Sequence, residues 1–253
     1  MFRSEIYKLC RMHATGILIA SIFVSLILMN ILLSGTISGI YITSYDKSGS
    51  VTFGNMFMSS ISFLQSFYVL PLLIIIVTAA SFSEEKQNRT IYQSILAARN
   101  RIHLYIVKVT AVIFLISAVI AAAFFLGIIL YLVLVENGPY GVPIHKTNIS
   151  EILSFAVVFL LNSIFIVSIT TIFSITVPNN TIAVVCTFIS IIIMDALENI
   201  SSVKRFLPTY LGDSSVFIYE GINGYQFANA GLLVLYILAV CIISACLLNK
   251  ADL

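Results

Sequence analysis

The chain has 253 residues, of which 60% are hydrophobic and 9% are charged, and its mean hydropathy is +1.07. A soluble domain carries about a quarter charged residues, and its surface depends on that charge. The composition therefore excludes a soluble globular protein as well as a disordered chain. The formal net charge of +2 is too small, and the charges are too scattered, to indicate a nucleic-acid-binding protein. We predict an all-α integral membrane protein.

Six apolar stretches are long enough to cross a bilayer as helices, each of which needs about 20 residues. They lie near Ala14–Ser34, Phe57–Phe82, Val109–Val135, Ile152–Val177, Thr181–Leu197 and Ala228–Leu248. Pro178, Asn179 and Asn180 alone separate the fourth stretch from the fifth, which predicts antiparallel neighbours joined by a tight turn. No repeat or linker divides the pattern, so residues 1–253 are predicted to form a single transmembrane domain.

The basic residues predict how the chain is oriented in the membrane. If the N-terminus is cytoplasmic, nine of the thirteen Lys and Arg residues lie on the cytoplasmic side, in agreement with the excess of positive charge that cytoplasmic loops carry. Both termini are then cytoplasmic, and residues 199–227 form an extracytoplasmic segment before the sixth span. The isoleucine-rich composition indicates the cytoplasmic membrane of a bacterium.

The first 13 residues have the pattern of an amphipathic helix. Phe2, Ile6 and Leu9 recur at the spacing i, i+4, i+7, whereas Arg3 and Lys8 lie on another face. Such a helix suits the inner membrane interface, where basic side chains meet anionic lipid. We therefore predict an interfacial helix over residues 1–13 that contacts membrane lipid.

Residues 83–108 form the long cytoplasmic loop of this arrangement. Acidic residues open the loop and basic residues close it, an order that suits the dipole of a helix: Glu84 and Glu85, then Arg99, Arg101 and Lys108. A helix that starts near Arg89 and Thr90 carries Ile91 and Ile95 on one apolar face. A short amphipathic helix held outside the membrane is typical of an element that docks a soluble partner.

The same loop resembles the coupling region of type 2 ABC-transporter permeases. In that family an acidic residue precedes a Gly-Thr pair, and an apolar run, a Pro, an Arg and a Lys follow. The matching residues of this chain, at the family's spacing, are Glu85, Thr90, Arg101 and Lys108. Arg89 stands at the Gly position and Ala98 at the Pro position. The interfacial helix, the six spans and Leu207-Pro208 in the outer segment extend the resemblance over the whole chain.

The resemblance implies a transport subunit of an ABC exporter that has no catalytic residues of its own. The chain has no G-x-x-x-x-G-K-[ST] phosphate-binding loop, so no cofactor is expected in it, and ATP and Mg are expected in two separate ATPase subunits docked on the coupling helix. A second permease, identical or paralogous, would complete a dimer whose interface the second and fifth spans line. The small size and short loops are similar to those of permeases that move amphipathic or antimicrobial peptides, for export or for bacteriocin immunity. Drugs, lipids and ions are alternative substrates.

Two other functions are compatible with parts of the sequence. Glu84 to Arg89 spell EExxxR, the first motif of CAAX-processing intramembrane proteases, but the histidine motifs of that family do not follow. A secondary transporter needs ionisable residues within its spans, and only Asp195 and Glu198 enter one, at its outer end. We take these two residues as candidate lining of a transport pathway, together with the polar residues of the second span: Ser59, Ser62, Gln65 and Ser66.

Overall fold

The structure is a computed structural model that describes residues 1–33, 51–87, 100–138, 141–177, 179–219 and 225–250. The long helices among these residues, with the short α1, are α1 (Phe2–Arg11), α2 (His13–Leu33), α3 (Phe53–Ser66), α4 (Val69–Gln87), α5 (Arg101–Leu134), α6 (Ile149–Thr176) and α7 (Asn180–Leu197). Three single-turn helices follow, α8 (Ser201–Lys204), α9 (Pro208–Leu211) and α10 (Val216–Tyr219), and then α11 (Phe227–Lys250). The fold is that of an all-α membrane protein, as the composition predicts.

Five of these helices, α2, α5, α6, α7 and α11, are long and apolar enough to cross a membrane. The pair α3 and α4 adds a sixth span when its two parts are counted together. The predicted boundaries of the first, fourth, fifth and sixth spans agree with the structure to within three residues. The turn between α6 and α7 is closed by Asn179, whose side-chain oxygen accepts a hydrogen bond from Thr181 N at 2.9 Å, as expected of an N-cap.

The second span differs from the prediction of one helix over Phe57–Phe82. It is divided into α3 and α4, which are bent by 68° relative to each other. The break lies at Phe67 and Tyr68, and Tyr68 has a φ of 58°, a left-handed conformation that costs an L-residue roughly 1–2 kcal/mol. Pro71 follows the break and lies in the first turn of α4, where its missing N–H removes no helical hydrogen bond.

The third span is longer than predicted. Helix α5 has 34 residues and begins at Arg101 rather than at Val109, so it is about 51 Å long at 1.5 Å per residue and extends beyond the hydrocarbon layer of about 30 Å. Asn100 caps its start, because the Asn100 side chain accepts a hydrogen bond from Ile102 N at 3.1 Å. Hydropathy marks the apolar part of a helix and misses polar first turns.

Polar side chains join the helices inside the bundle. Ser25 of α2 donates a hydrogen bond to Ser60 O of α3 at 2.8 Å. Between α6 and α11, Thr171 Oγ1 donates to Ser244 Oγ at 3.3 Å. Bonds of this kind satisfy polar groups in a membrane interior that holds no water, and they help to position helices whose surfaces are as apolar as the lipid.

Contacts between residues far apart in the sequence assign the helix ends to two sides of the bundle. Lys108 contacts Glu5 and Ser81, and Arg101 contacts Leu248 O. Helix α1, the end of α4, the start of α5 and the end of α11 therefore share one side, which we call the terminal side. The opposite side holds the start of α3, the end of α5 and the segment between α7 and α11.

Candidate functional site

A cavity of about 250 Å³ lies on the opposite side of the bundle, between the α3–α4 break, α6, the end of α7 and the segment that precedes α11. We call it the carboxylate cavity. Its lining combines acidic, amide, hydroxyl and apolar side chains: Ser62, Gln65, Ser66, Tyr68, Pro71, Asn162, Phe165, Ile166, Ile191, Asp195, Glu198, Thr209, Asp213 and Ser215. Pockets for drug-sized ligands measure about 300–1,000 Å³, so this cavity is suited to a smaller group.

The α3–α4 break supplies one wall of the cavity. Because α3 ends at Ser66 and the chain then bends by 68°, the last turn of α3 presents polar side chains to the cavity. Ser66 Oγ donates a hydrogen bond to Ser62 O at 2.9 Å, and Gln65 Oε1 accepts one from Ser214 Oγ at 3.2 Å. Ser62 is only 8% exposed, and its hydroxyl has no hydrogen-bond partner among the described residues.

Three carboxyl groups form the acidic part of the cavity. Asp195 lies in the last turn of α7, Glu198 is the C-cap of that helix, and Asp213 lies between α9 and α10. Asp213 Oδ1 accepts a hydrogen bond from Ser215 N at 2.8 Å, which forms an Asx turn. Burial raises the pKa of the Glu198 carboxyl, and the charges of Asp195 and Asp213 add to this shift, whereas Lys204 opposes it.

Contacts with the bundle fix the segment that carries Asp213. Tyr225 OH donates a hydrogen bond to Leu211 O at 2.6 Å. Burial raises the pKa of Tyr225 to about 12, so its hydroxyl stays protonated at neutral pH. Gly212 lies so close to Asn162 of α6 that an added Cβ would be 3.0 Å from the Asn162 side chain. The lack of a side chain at Gly212 therefore allows this segment to pack on α6 and to place Asp213 at the cavity.

A buried ion pair lies on the terminal side. Lys108 Nζ of α5 is 3.2 Å from Glu5 Oε2 of α1, and it donates a hydrogen bond to Ser81 O of α4 at 2.7 Å. Lys108 is 2% exposed and Glu5 is 3% exposed, and Lys8 contacts the second carboxylate oxygen of Glu5 at 3.1 Å. The Lys108 ammonium also lies 5.6 Å from the ring centre of Phe82, within cation–π distance. We call Glu5, Ser81 and Lys108 the Lys108 junction.

A second contact on the terminal side joins α5 to α11. Arg101 Nη1 lies 3.3 Å from Asn249 O and 3.5 Å from Leu248 O. These carbonyl groups belong to the last turn of α11, where helical partners run out and the dipole attracts a positive charge. Helix α4 is thus held at the Lys108 junction, and α5 is held at that junction and at α11.

Five of the predicted pathway residues line the carboxylate cavity together: Ser62, Gln65, Ser66, Asp195 and Glu198. Ser59 is half-buried and does not belong to that lining. The sequence does not identify Asn162, Thr209 and Asp213, which tertiary packing brings to the cavity from α6 and from the segment after α8. The one local signal for Asp213 is its position before two serines, a composition typical of turns.

The predicted partner-binding residues are described only in part. Arg101 and Lys108 both make contacts within the chain, and the burial of Lys108 means that its side chain does not itself offer a docking surface. Glu84 and Glu85 belong to the end of α4. The remaining residues lie outside the described ranges, and the docking helix stays a prediction there: Arg89, Thr90, Ile91, Ile95 and Arg99.

Comparison with protein families returned a match over most of the chain. The family described as ABC-2 family transporter protein matches residues 1–194, which include α1 to α6 and most of α7. The match ends one residue before Asp195, so the acidic part of the carboxylate cavity lies beyond it. A search of curated proteins found no match.

Proposed function

The chain belongs to the ABC-2 family of transporter proteins and is a permease subunit of an ABC transporter; from that premise we propose that it serves an ATP-driven exporter of amphipathic peptides. These peptides are of the antimicrobial type, and they are either secreted or expelled from the membrane as self-immunity. In this proposal the chain performs no chemistry of its own. ATP and Mg are held by two ATPase subunits, which dock on its terminal side.

One observation carries the proposal: α4 connects the carboxylate cavity with the predicted docking segment. Pro71 in its first turn lines the cavity, and Ser81 near its other end accepts the hydrogen bond from Lys108. Residues 88–99 follow directly after α4. Because α4 has 19 residues, it spans about 28 Å, and a displacement of the docking segment would move the cavity wall as one rigid element.

The coupling step assigns roles to the residues of the loop. Ile91 and Ile95 supply the apolar contact with the ATPase, and charged and polar residues surround it: Glu84, Glu85, Arg89, Thr90 and Arg99. Lys108 does not contact the ATPase itself. Its bonds to Glu5 of α1 and Ser81 of α4 join these helices to α5, so that the three helices move together. Arg101 passes the same movement to α11 through the Leu248 and Asn249 carbonyls.

The mixed lining of the cavity supports a basic amphipathic substrate. The carboxyl groups of Asp195 and Glu198 share the cavity with Phe165, Ile166 and Ile191. A neutral drug or lipid would leave the carboxylates without a counter-charge in a partly dry site, which is costly. A bare inorganic ion would leave the apolar surface without a partner. A peptide that carries both basic and apolar side chains pairs with the carboxylates and also packs on the apolar surface.

An exposed face of α7 supports the presence of a second permease, identical or paralogous. Ile182, Val185, Ile189 and Ile193 recur at intervals of three and four residues, which places them on one face, and each is about half exposed. We assign this apolar stripe to the contact with the second permease and the other exposed apolar surfaces to membrane lipid. The resulting dimer would pair the two chains across the fifth span.

The proposed orientation puts both termini in the cytoplasm of a bacterial cell. The terminal side then faces the ATPase subunits, and the carboxylate cavity faces the outside. Helix α1 lies at the inner interface, with Arg3 and Arg11 exposed, and Phe2 packs edge-on against Phe114 of α5 at 5.9 Å between ring centres. This arrangement agrees with the distribution of Lys and Arg along the chain.

Reconstitution of the permease with its ATPase in proteoliposomes tests the proposal. Uptake of a labelled cationic amphipathic peptide is expected to require ATP hydrolysis. In Ile91→Asp/Ile95→Asp the apolar docking face is lost, and since a buried Ile contributes about 1.5–3 kcal/mol, ATPase binding should fall more than tenfold. Ile149→Asp, the same change at an exposed position on the opposite side, serves as the control and should bind the ATPase normally.

The alternative functions give different results in the same preparation. Transport that continues without ATP would indicate a secondary transporter, and peptide cleavage that is lost in Glu84→Gln or Glu85→Gln would indicate a protease. Transport of a neutral drug or a lipid in preference to the peptide would replace the proposed substrate. Normal ATPase binding in the double Ile variant would remove the docking role of residues 88–99.

A further inference from the structure

The charges that line the carboxylate cavity are not balanced within it. Asp195, Glu198 and Asp213 line the cavity, and no Lys or Arg is found among the described residues of its lining. Lys204 influences Glu198 electrostatically, but its ammonium lies 4.6 Å from the ring centre of Tyr210, outside the cavity lining. Partly buried carboxylates without a counter-charge are unfavourable, so a cation supplied from outside the chain would stabilise them.

A second observation points to a ligand independently of charge. Ser62 is more than nine-tenths buried and lines the cavity, yet its hydroxyl has no hydrogen-bond partner among the described residues. Neighbouring groups of the same wall are engaged, since Ser66 bonds to Ser62 O and Gln65 accepts from Ser214. Buried polar atoms in native proteins almost always have a partner. The oxygen of the Ser62 hydroxyl can therefore accept a hydrogen bond from a donor on a bound molecule.

The size and the apolar surface of the cavity restrict the kind of cation. At about 250 Å³ it is smaller than the roughly 300–1,000 Å³ of pockets for drug-sized ligands, so it accommodates one side chain rather than a whole peptide. Phe165, Ile166 and Ile191 offer an apolar surface for a methylene stem. A divalent metal ion would use the oxygen atoms alone.

We propose that the carboxylate cavity binds a single primary ammonium or guanidinium group, the head of a Lys or Arg side chain carried by an amphipathic peptide. The carboxylates of Asp195, Glu198 and Asp213 pair with the charge, Ser62 accepts a hydrogen bond from it, and the apolar wall packs on the stem. The inference rests on the proposed function for the nature of the carrier. It deepens that function by naming the recognised group and by placing recognition on the side opposite the termini.

Binding to the purified chain in nanodiscs of zwitterionic lipid, without ATPase, tests this site. The probes are three versions of one Leu-rich amphipathic peptide, whose basic positions hold Lys, Arg or acetyl-lysine. Acetylation removes the charge and keeps the stem. After subtraction of binding to empty nanodiscs, the Lys and Arg peptides are expected to bind at least about tenfold more tightly than the acetylated peptide, a difference of about 1.4 kcal/mol. A difference between the Lys and Arg peptides distinguishes ammonium from guanidinium.

Variants in which a neutral amide replaces a carboxylate show whether the charged group of the peptide binds in the cavity. Asp195→Asn/Glu198→Gln should lower the affinity for the Lys peptide by about tenfold or more and leave the acetylated peptide unchanged. If that double variant does not fold, Asp213→Asn provides the test, because asparagine keeps the oxygen that accepts the backbone hydrogen bond. Glu151→Gln is the matched control, since Glu151 is half-buried on the same side and its carboxylate accepts a hydrogen bond from Asn148 outside the cavity.

Three results would overturn the site. Equal binding of the three peptides would show that the charge does not contribute to binding, and a loss in Glu151→Gln as large as that in the cavity variants would show that the attraction comes from general surface charge. Displacement of the Lys peptide by Ca²⁺ alone would assign the cavity to a metal ion. Because the assay contains no ATPase, charge-selective binding without ATP-driven transport refutes only the proposed function, and transport of the peptide despite equal binding refutes only the site.

Discussion

Lys108 and Glu5 are ionisable residues that the fold buries almost completely, at 2% and 3% exposure. Removal of a charged group from water costs several kcal/mol per ion unless partners compensate for the lost hydration. Here the ammonium contacts both the Glu5 carboxylate and Ser81 O, and the carboxylate also contacts Lys8. The three contacts explain how a lysine persists inside an apolar bundle, and they fasten α1 to α4 and α5.

Substitution of either charged partner should therefore destabilise the protein. Lys108→Met leaves the buried Glu5 carboxylate with one fewer charged contact, and a lost hydrogen bond to a charged group costs about 1.5–3 kcal/mol. Glu5→Gln/Lys108→Met should lose less than the sum of the two single variants, because neither charge is left behind. Thermal unfolding in detergent measures the effect, with the exposed Lys146→Met as control. Additive losses in the double variant would mean that the pair is not coupled.

Glu198 predicts a pH dependence of cation binding to the carboxylate cavity. Burial and the charges of Asp195 and Asp213 raise its pKa above the usual value, while Lys204 opposes the shift. The folded state thus favours the neutral carboxyl, so its contribution to stability is present at low pH and is lost as the pH rises through the raised pKa. Cation binding needs the ionised form and changes in the opposite direction, strengthening as the pH rises.

Titration of Lys-peptide binding upward from about pH 4, near the ordinary pKa of a glutamate, to about pH 8 measures this dependence. Affinity is expected to increase with pH over a window that lies above the usual pKa of 4.5. Glu198→Gln should flatten the part of the curve that belongs to this residue. An affinity that falls as the pH rises, or a curve unchanged in Glu198→Gln, would contradict the assignment.

At the scale of the helices, hydropathy predicts most of the membrane spans because the bilayer imposes a length of apolar residues. It misplaces the start of α5, since Arg101 and His103 belong to a polar first part of the helix. It also misses the break in the second span, because neither Phe67 nor Tyr68 is a typical helix-breaking residue. The carboxylate cavity is predicted in part, from the polar end of α3 and from Asp195 and Glu198, whereas Asp213 arrives through tertiary packing.

Pro71→Ala tests what determines the α3–α4 break. The break coincides with Tyr68 in its left-handed conformation, and Pro71 lies after it in a turn that has no helical N–H bond to lose. We expect the bend to persist and the stability to change by less than about 1 kcal/mol. Spin labels at Phe63 and Ile76 report the bend as a distance. A shift toward the about 20 Å that 13 residues of straight helix span would show that Pro71 causes it, and Tyr68→Gly serves as a control that keeps the positive φ accessible.

For the whole molecule, the two polar assemblies lie at opposite ends of one apolar bundle. The family match over residues 1–194 contains the Lys108 junction and the predicted docking segment. Glu198, Asp213 and α11 lie beyond the match. The matched part therefore contains the residues that we assign to coupling with the ATPase, and the remaining part carries all three carboxyl groups that we assign to substrate recognition. A permease built in this way can keep its coupling machinery while its substrate changes.

The exposed stripe on α7 predicts which surface meets the second permease. Ile189 is 49% exposed in the middle of the stripe, and Val157 of α6 is 50% exposed on another surface of the bundle. The two side chains are almost equally exposed but lie on different surfaces of the bundle, so the two positions form a matched pair. We expect a photoreactive amino acid at residue 189, introduced into the complete complex, to cross-link to a second permease, while the same group at residue 157 labels lipid.

The mass of the cross-linked product also identifies the partner. A product of twice the mass of this chain indicates an identical permease, and a different mass indicates a paralogue; either result supports the stripe as the interface. In a twofold dimer of identical permeases, the same surface patch of each subunit forms the interface. Residue 189 of one subunit would then lie near residue 189 of the other. Protein cross-links at residue 157 together with lipid labelling at residue 189 would move the interface from α7 to α6. That result would leave the Lys108 junction and the carboxylate cavity unaffected, since both are formed within a single chain.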